Sequence, residues 1–280
     1  MCRFSLIVCT VTRTAELEAF LGSLAAQKQP PAFEVIVVDQ NPDDRLAPLL
    51  DRCRGRFPVR RLRSEIGLSR ARNVGLAAAS GDIVAIPDDD CTYPPDLLHR
   101  LAAYFDANPG CDGVSTLVTD RDGSFSAGGY MAGSPLAIDR GNIWRTAVSP
   151  SIFVRRSAVG EVRFDETLGV GSGTVYGSGE ESDFLLQLLE HHRRLDYRPE
   201  FVVHHPCFHG PWRAERGRLY GNGMGRVLRK HRYPAWRAMF YASLQLVRAV
   251  QFLLKLNPSR SRFHLAMALG RLHGYFHVRH

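Results

Sequence analysis

Short apolar runs alternate with helix-like segments over the first 120 residues of the chain. The helix-like segments repeat apolar residues every three or four positions, as in Leu17, Phe20, Leu21 and Leu24. This alternation predicts an α/β fold with a mostly parallel sheet and helices on both of its faces. The runs, each of which predicts a buried strand, are Phe4–Cys9, Phe33–Val38, Val59–Leu62, Ile83–Ile86 and Gly113–Val118.

Three consecutive aspartates, Asp88, Asp89 and Asp90, follow the predicted strand Ile83–Ile86. Ligands of open α/β sheets bind beyond the carboxyl ends of such strands. Adjacent carboxylates repel one another and resist dehydration, so a cation commonly compensates them. In an extended chain Asp88 and Asp90 point the same way, and together they could reach one Mg²⁺ or Mn²⁺ ion. Taken alone, the tripeptide fits a solvated acidic turn better.

Two further polar clusters lie at predicted element boundaries. Asp39 ends the second strand, where it could accept hydrogen bonds from a base or a ribose, or could simply close a turn. Arg70 and Arg72 lie near the start of a small-residue helix, where the helix dipole disfavours cations. An anionic ligand would explain them, and solvated surface arginines are an equally good explanation.

A second acidic segment, Glu180-Glu181-Ser182-Asp183, follows a loop with five glycines between positions 169 and 179. Acids at the start of a helix usually match the helix dipole. Because these follow a glycine-rich loop, one of them could instead serve as a general base. Late in the chain, His204 and His205 end a predicted strand, and they are structural unless the aspartates lie beside them.

Six cysteines without a paired spacing argue against a disulfide framework or a structural zinc site and favour a reducing cytosol. The N-terminal apolar run is too short for a signal sequence.

Net charge divides the chain into residues 1–210 and a basic extension, residues 211–280, which has 14 Lys or Arg and one acid, Glu215. Within that extension, residues 236–256 predict a wide apolar helix face with a basic stripe, as in helices that lie in a membrane interface. Packing on the first domain or on a second subunit is almost as good an explanation.

Taken together, these segments resemble the family 2 glycosyltransferases over roughly residues 4–206. The resemblance implies a Rossmann-like A-type glycosyltransferase fold, here followed by a C-terminal helical extension. The motifs that carry it occur in the family's order. They are Thr10–Arg13, Val35–Asp39, Gly67–Asn73 with Arg72, Gly81-Asp82 leading to Pro87–Asp90, Phe164-Asp165, Gly179–Asp183 and His204-His205.

The resemblance also implies roles for individual residues. Asp88 and Asp90 form the Asp-x-Asp pair that holds a divalent metal, which a histidine of the pair His204-His205 completes. Family members commonly carry Glu-Asp where this chain has Glu180-Glu181, so the register assigns the base to Glu181, with Glu180 and Asp183 as alternatives. The residues implied in binding the nucleotide-sugar donor are Thr10, Val11, Thr12, Arg13, Asp39, Gly67, Arg72, Asn73, Asp88 and Asp89.

The implied function is a metal-dependent, inverting glycosyltransferase of the hexosyltransferase type. It would move a sugar from a nucleotide diphosphate to a hydroxyl of a glycan, lipid-linked or other acceptor, in cell-surface polysaccharide or glycoconjugate synthesis. We expect a cytoplasmic enzyme, peripheral on the inner face of the membrane through residues 236–280. One alternative is a metal-dependent nucleotidyltransferase. Another is a nucleic-acid-binding protein that uses the basic tail, although its basic residues alternate with aliphatic ones rather than with stacking aromatics.

Overall fold

The computed structural model describes residues 4–124, 131–207 and 210–277. The chain divides into two compact units, each described separately below. The first unit comprises the described residues of Met1–Ile66, Ala71–Arg163 and Leu185–Phe208, and the second those of Gly67–Arg70, Phe164–Phe184 and His209–His280. Two short segments from the first two thirds of the chain therefore group with the C-terminal helices. The predicted boundary at residue 210 stays a prediction.

The first unit is built on an eight-stranded sheet with the order β3-β2-β1-β4-β7-β5-β8-β6 among the described residues. Strands β6 and β7 are antiparallel to their neighbours, and the other pairs are parallel. The strands are β1 (Phe4–Thr10), β2 (Phe33–Asp39), β3 (Val59–Arg63), β4 (Ile83–Ala85), β5 (Gly113–Thr119), β6 (Leu136–Ala137), β7 (Ile152–Arg155) and β8 (Leu195–His204).

Helices connect the strands, and three long helices end the described chain. The fold predicted from the alternating pattern is confirmed: the sheet is mostly parallel, with flanking helices and a C-terminal helical extension. The helices are α1 (Ala15–Ala25), α2 (Ala47–Cys53), α3 (Leu68–Ala78), α4 (Leu97–Ala107), α5 (Arg156–Val159), α6 (Glu180–Glu190), α7 (Ala214–Lys230), α8 (Ala235–Leu254) and α9 (Pro258–Phe276).

The centre of the sheet is apolar on both faces, as the uninterrupted apolar runs predict. All seven residues of β1 are buried. Helix α3 lies directly against this strand because Gly75 has no side chain: a Cβ at that position would overlap the Ile7 side chain. The small residues of α3 therefore hold the helix that carries Arg72 close to the middle of the sheet.

In the second unit, α7 and α9 pack backbone to backbone along glycines. A Cβ at Gly221 would overlap the carbonyl oxygen of Met267, and one at Gly274 would overlap that of Asn222. Gly217 and Gly225 of α7, each one turn from Gly221, make equally close approaches to the backbone of α9. Glycine at every fourth position lets two helices approach this closely.

No helix in the described ranges combines the length and the low polarity that crossing a bilayer requires.

Candidate active site

Polar loops from the first unit meet at the carboxyl edge of the sheet. Strands β1, β2 and β4 are parallel, so the segments after them leave the sheet on the same side. An isolated bridge joins Cys9 to Asp88, and another joins Thr92 to His204. These bridges bring the loop after β1, the three aspartates and the end of β8 together.

Asp88, Asp90 and His205 form a cluster in which one potential ligand atom of each residue lies within 4.8 Å of the others. His205 Nε2 is 3.1 Å from Asp90 Oδ1 and 3.8 Å from Asp88 Oδ2. Asp90 Oδ1 is buried and accepts no hydrogen bond of good geometry from the described residues. Two carboxylates, one imidazole and an unsatisfied buried oxygen suit a divalent cation of the Mg²⁺ or Mn²⁺ type.

The pKa shifts of the residues in this cluster also favour a bound cation. Burial raises the pKa of Asp88, although Arg72 and His205 oppose the rise. Burial also raises the pKa of Asp90, but His205 and Arg13 outweigh it and leave the pKa lowered. For His205, burial lowers the pKa, but Asp90 and Asp88 outweigh it and leave the pKa raised, because the two carboxylates favour positive charge beside them. The cluster favours added positive charge, which a bound divalent ion supplies.

Asp89, the middle aspartate, points into a different set of contacts. Its Oδ2 accepts a hydrogen bond from Thr10 Oγ1 at 2.7 Å, and its Oδ1 lies 2.7 Å from Arg13 Nη1. The same Arg13 nitrogen is 2.6 Å from Asp90 Oδ2. Asp89 therefore anchors the loop after β1 to the aspartate turn and holds Arg13 at the edge of the cluster.

Arg72 is almost fully buried, which excludes the solvated-surface explanation for this residue. Its Nη2 lies 3.3 Å from Asp88 Oδ1 and donates to Ser149 Oγ. Sequence reasoning missed Ser149, because nothing near it in the chain signals its proximity to residues 77 positions away. Asn73 follows Arg72 in α3 and is half-buried. Arg70, in the second unit, forms a surface ion pair with Glu166 at 3.2 Å.

Asp39 is buried and its carboxylate is shared among three neighbours. Its Oδ2 lies 2.6 Å from Arg61 and 3.3 Å from Arg63, and its Oδ1 accepts from the Asn41 side chain at 2.7 Å. Asn41 Oδ1 in turn accepts from the backbone amide of Thr12 at 2.7 Å. Asp39 thus ties the loop after β2 to the loop after β1, which includes Val11, an exposed residue.

Sequence reasoning also missed Arg61 and Arg63 as partners of Asp39. The signal was three arginines on one short strand, β3, beside a strand that ends in aspartate. The parallel register pairs Asp39 with Arg63. Of the two histidines, His205 lies in the aspartate cluster, whereas the His204 Nδ1 is 3.5 Å from Thr119 Oγ1.

The acidic segment of α6 begins in the second unit, together with Gly67. Asp183 is fully buried, 2.7 Å from His231 Nε2 and 2.8 Å from Lys230 Nζ, so it connects α6 to α7. Glu180 is buried as well, whereas Glu181 is half-buried. Within this segment, Glu181 is therefore the most exposed of the three carboxylates considered as a base. Gly67 is buried and has a φ of +142°, a conformation that favours glycine.

Comparison with known proteins identifies the family. The family model "Glycosyl transferase family 2" matches residues 5–161. Succinoglycan biosynthesis protein ExoM of Rhizobium meliloti is 29% identical over 235 residues, which cover 79% of this chain and 74% of ExoM. Beta-monoglucosyldiacylglycerol synthase of Synechocystis is 36% identical over 108 residues, which span only 22% of its length. Glucosyl-dolichyl phosphate glucuronosyltransferase of Haloferax volcanii is 32% identical, over 39% of its length.

Solved structures share the fold. The mannosyltransferase PcManGT from Pyrobaculum calidifontis, solved with GDP-Man and Mn²⁺, superposes with a TM-score of 0.65 and covers 97% of this chain and 87% of its own, at 17% identity. TarS 1–349 of S. aureus, solved with UDP-GlcNAc, gives a TM-score of 0.63 over 97% of this chain and 91% of its own, also at 17% identity. At such identities the likeness establishes the fold alone.

Proposed function

The chain belongs to glycosyltransferase family 2, and on that premise we propose that it is a metal-dependent, inverting hexosyltransferase. The donor is a nucleotide-diphosphate sugar, and the acceptor is a hydroxyl group. The observation that carries the proposal is the cluster of Asp88, Asp90 and His205 at the carboxyl edge of the sheet. The PcManGT structure, with GDP-Man and Mn²⁺, supports a divalent metal beside the donor.

In this mechanism Asp88, Asp90 and His205 would hold the metal, which would supply positive charge to stabilise the negative charge that the leaving diphosphate gains. Arg13 and Arg72 fix the two aspartates in place. Arg72 does so from a buried position through its contact with Asp88. The donor is bound by the loop Thr10–Arg13, by Asp39 through the network it organises, and by Gly67, Asn73 and Asp89.

Glu181 is the proposed general base. The acceptor hydroxyl must lose its proton as it attacks the anomeric carbon, and a carboxylate can accept that proton. Asp183 fits this role poorly because it is buried against Lys230 and His231. With one base and no protein nucleophile, the reaction inverts the anomeric configuration.

The proposed acceptor is a glycan or lipid-linked hydroxyl in the synthesis of a surface polysaccharide or glycoconjugate. The name of ExoM, which this chain matches over 79% of its length, supports this class. The names of two relatives matched over shorter regions include a diacylglycerol and a dolichyl phosphate. A cytoplasmic location, at the inner face of the membrane through residues 236–280, agrees with such acceptors. The nucleotidyltransferase and nucleic-acid-binding alternatives gain no support from any of these relatives.

Calorimetric titration of UDP, GDP and dTDP with Mn²⁺ or with EDTA tests the donor site. We expect one nucleotide to bind in a metal-dependent way, and Asp90→Ala to abolish that binding. Asp96→Ala, a change of an aspartate on the surface at the start of α4, serves as the matched control. Equal binding by the Asp90 variant and the wild type would contradict the assignment of the metal site.

The stereochemistry and the base are tested separately. Proton NMR of the fresh product gives the anomeric configuration, and a retained configuration would exclude the inverting mechanism. Glu181→Gln should lower kcat by at least about 100-fold with little change in donor affinity, because it removes a base and leaves the donor site intact. Unchanged kcat would transfer the role to another carboxylate.

A further inference from the structure

Helix α8 has the reverse of the usual arrangement of apolar and polar side chains. Its buried face consists of small or polar residues: Ala238, Ala242, Gln245 and Ala249. Nine of its large apolar residues are exposed to solvent, and Leu254 is 78% exposed, whereas Phe252 is half-buried. We call the nine exposed residues the α8 apolar face. They are Trp236, Met239, Phe240, Leu244, Leu246, Val247, Val250, Leu253 and Leu254.

The α8 apolar face has no charged residue. At 100° per residue its members cover about half of the helix circumference, from Leu253 on one side to Leu244 on the other. Ser243 and Gln251 are the two polar residues in this arc. The arginines of α8, Arg237 and Arg248, fall together on one flank and are half-buried. A solvated helix of twenty residues normally has its charges on the exposed face, so this face is adapted to an apolar medium.

Helix α9 and the turn before it extend the apolar surface. Leu265, Leu269 and Phe276 of α9 are 45%, 57% and 55% exposed, and all three fall on one side of the helix. Leu256, in the turn between α8 and α9, is 90% exposed. Exposed apolar side chains in this number, on two adjoining helices, usually mark an interaction site.

The surrounding charge identifies the occupant. From Pro211 to His280 there are 14 Lys or Arg and one acid, Glu215. Lys255 lies between Leu254 and Leu256, and Arg262 shares the exposed side of α9 with Leu265. A second copy of the chain would bring an equally basic surface to the contact. An anionic bilayer instead accepts apolar side chains among its acyl chains and attracts basic side chains to its headgroups.

We propose that the α8 apolar face, with Leu256, Leu265, Leu269 and Phe276, inserts into the interface of an anionic lipid leaflet. The two helices lie parallel to the leaflet, and Lys255 and Arg262 extend to its phosphate groups. This inference rests on the membrane location in the proposed function and deepens it by naming the lipid class and the side chains that bind it, and lipid binding can be measured without sugar transfer. It would keep the enzyme on the surface where a lipid-linked acceptor is found.

The test compares the wild type with Val247→Glu/Val250→Glu in the full chain. Glu is a better helix former than Val, so these changes add charge to the face without weakening α8. The matched control, Ile66→Glu/Leu136→Glu, adds the same charge at two exposed apolar positions of the first unit. Binding is measured by co-sedimentation with vesicles of phosphatidylcholine alone or with about one third phosphatidylglycerol.

We expect the wild type and the control to bind the anionic vesicles at least about tenfold more strongly than the neutral ones. The Val247/Val250 variant should lose at least about tenfold in binding to the anionic vesicles. Circular dichroism verifies that the variant is folded. Two results would overturn the proposal: equal sedimentation of the variant and the control, or a lipid-free dimer of the wild type that the variant disperses. The second result would assign the face to another copy of the chain.

Discussion

The two units depart from ordinary burial in opposite directions. At the carboxyl edge of the first unit, charged groups are buried: Asp89 and Arg72 have almost no exposed surface. In α8 of the second unit, large apolar side chains are exposed and alanines are buried. Either departure costs free energy in the isolated chain, because buried charges lose hydration and exposed apolar surface orders water.

Each departure is therefore informative about a partner. The aspartate cluster favours a cation, and the α8 apolar face favours an apolar medium. Interiors elsewhere in the chain, such as β1 with all seven residues buried, follow the ordinary rule. A protein departs from this rule at sites where a bound ligand or a surface can compensate the free-energy cost.

Two histidines show the same contrast in their protonation. Two carboxylates raise the pKa of His205 even though burial lowers it. Burial, together with the surrounding Arg248, Arg260 and Arg271, lowers the pKa of His264, in α9, to about 4. With its amide oxygen directed at Arg271, Gln245 donates to His264 Nδ1 at 2.8 Å, as a neutral imidazole requires. The first unit thus concentrates negative charge at its edge, and the second buries a neutral ring among cations.

The largest effect is expected from Asp90→Asn. Loss of one metal-binding carboxylate should lower kcat/KM at least about 1000-fold, or ~4 kcal/mol in the transition state. Mn²⁺ should raise the melting temperature of the wild type and of the surface control Asp96→Asn, but not that of the variant. A variant with normal kcat/KM would show that the charged edge of the first unit is structural.

Gly221→Ala should disrupt the second unit. The added Cβ would overlap the Met267 carbonyl oxygen and force α7 and α9 apart, at a cost of about 3 kcal/mol in the free energy of unfolding. Gly22→Ala in α1 is the matched control, because a Cβ there meets no atom within 4 Å. It should stabilise by about 0.5 to 1 kcal/mol through helix propensity. Urea denaturation measures the change in the free energy of unfolding for both variants. A change of the same sign in both would contradict the close glycine packing.

The pH dependence of stability should identify His264. Its pKa is lowered from an ordinary 6.5 to about 4 by burial and by the nearby arginines. As the pH falls between these values, the unfolded state takes up a proton that the folded state does not, so folding loses about 3 kcal/mol by pH 4. His264→Phe should remove that loss, whereas His99→Phe, at an exposed position, should retain it. Unfolding in urea from pH 7 to pH 4 provides the comparison.

The smallest effect concerns the start of α9. Asn257 caps this helix, since its Oδ1 accepts a hydrogen bond from the Arg260 amide at 3.1 Å. Asn257→Ala should lower the free energy of unfolding by about 1 kcal/mol. Asn257→Asp should retain most of the stability of the wild type, because aspartate also caps helices well. Activity per folded molecule should not change, which separates the stability of the second unit from catalysis. Equal stability of the two variants would argue against the cap.

Much of the fold could be predicted from the sequence because strands buried on both faces and amphipathic helices have distinct periods. The exact boundaries of the elements were harder to predict, because they depend on local backbone chemistry. The strand predicted to end at His204 and His205 is β8, which begins at Leu195, ends at His204 and shifts its register opposite Thr116 and Leu117. Pro258 occupies the first position of α9, where proline's missing amide is tolerated.

The candidate site was partly predictable for a different reason. Aspartates after a buried strand have a definite place at the sheet edge, so Asp88 and Asp90 could be singled out. The sequence offered His204 and His205 together, and only the structure shows which ring lies beside the aspartates. Ser149 contacts Arg72 through tertiary pairing, which leaves no trace in local sequence. Arg61 contacts Asp39, and the three arginines of β3 were the sequence signal for that contact.

The glycine contacts between α7 and α9 also bear on how the second unit moves. Side chains that interlock can loosen one rotamer at a time, but backbones in direct contact have no such layer between them. The two helices should therefore separate completely or not at all. Their amide hydrogens should then exchange with solvent in a single cooperative opening, as one folding unit although residues 231–257 separate the two helices in the chain.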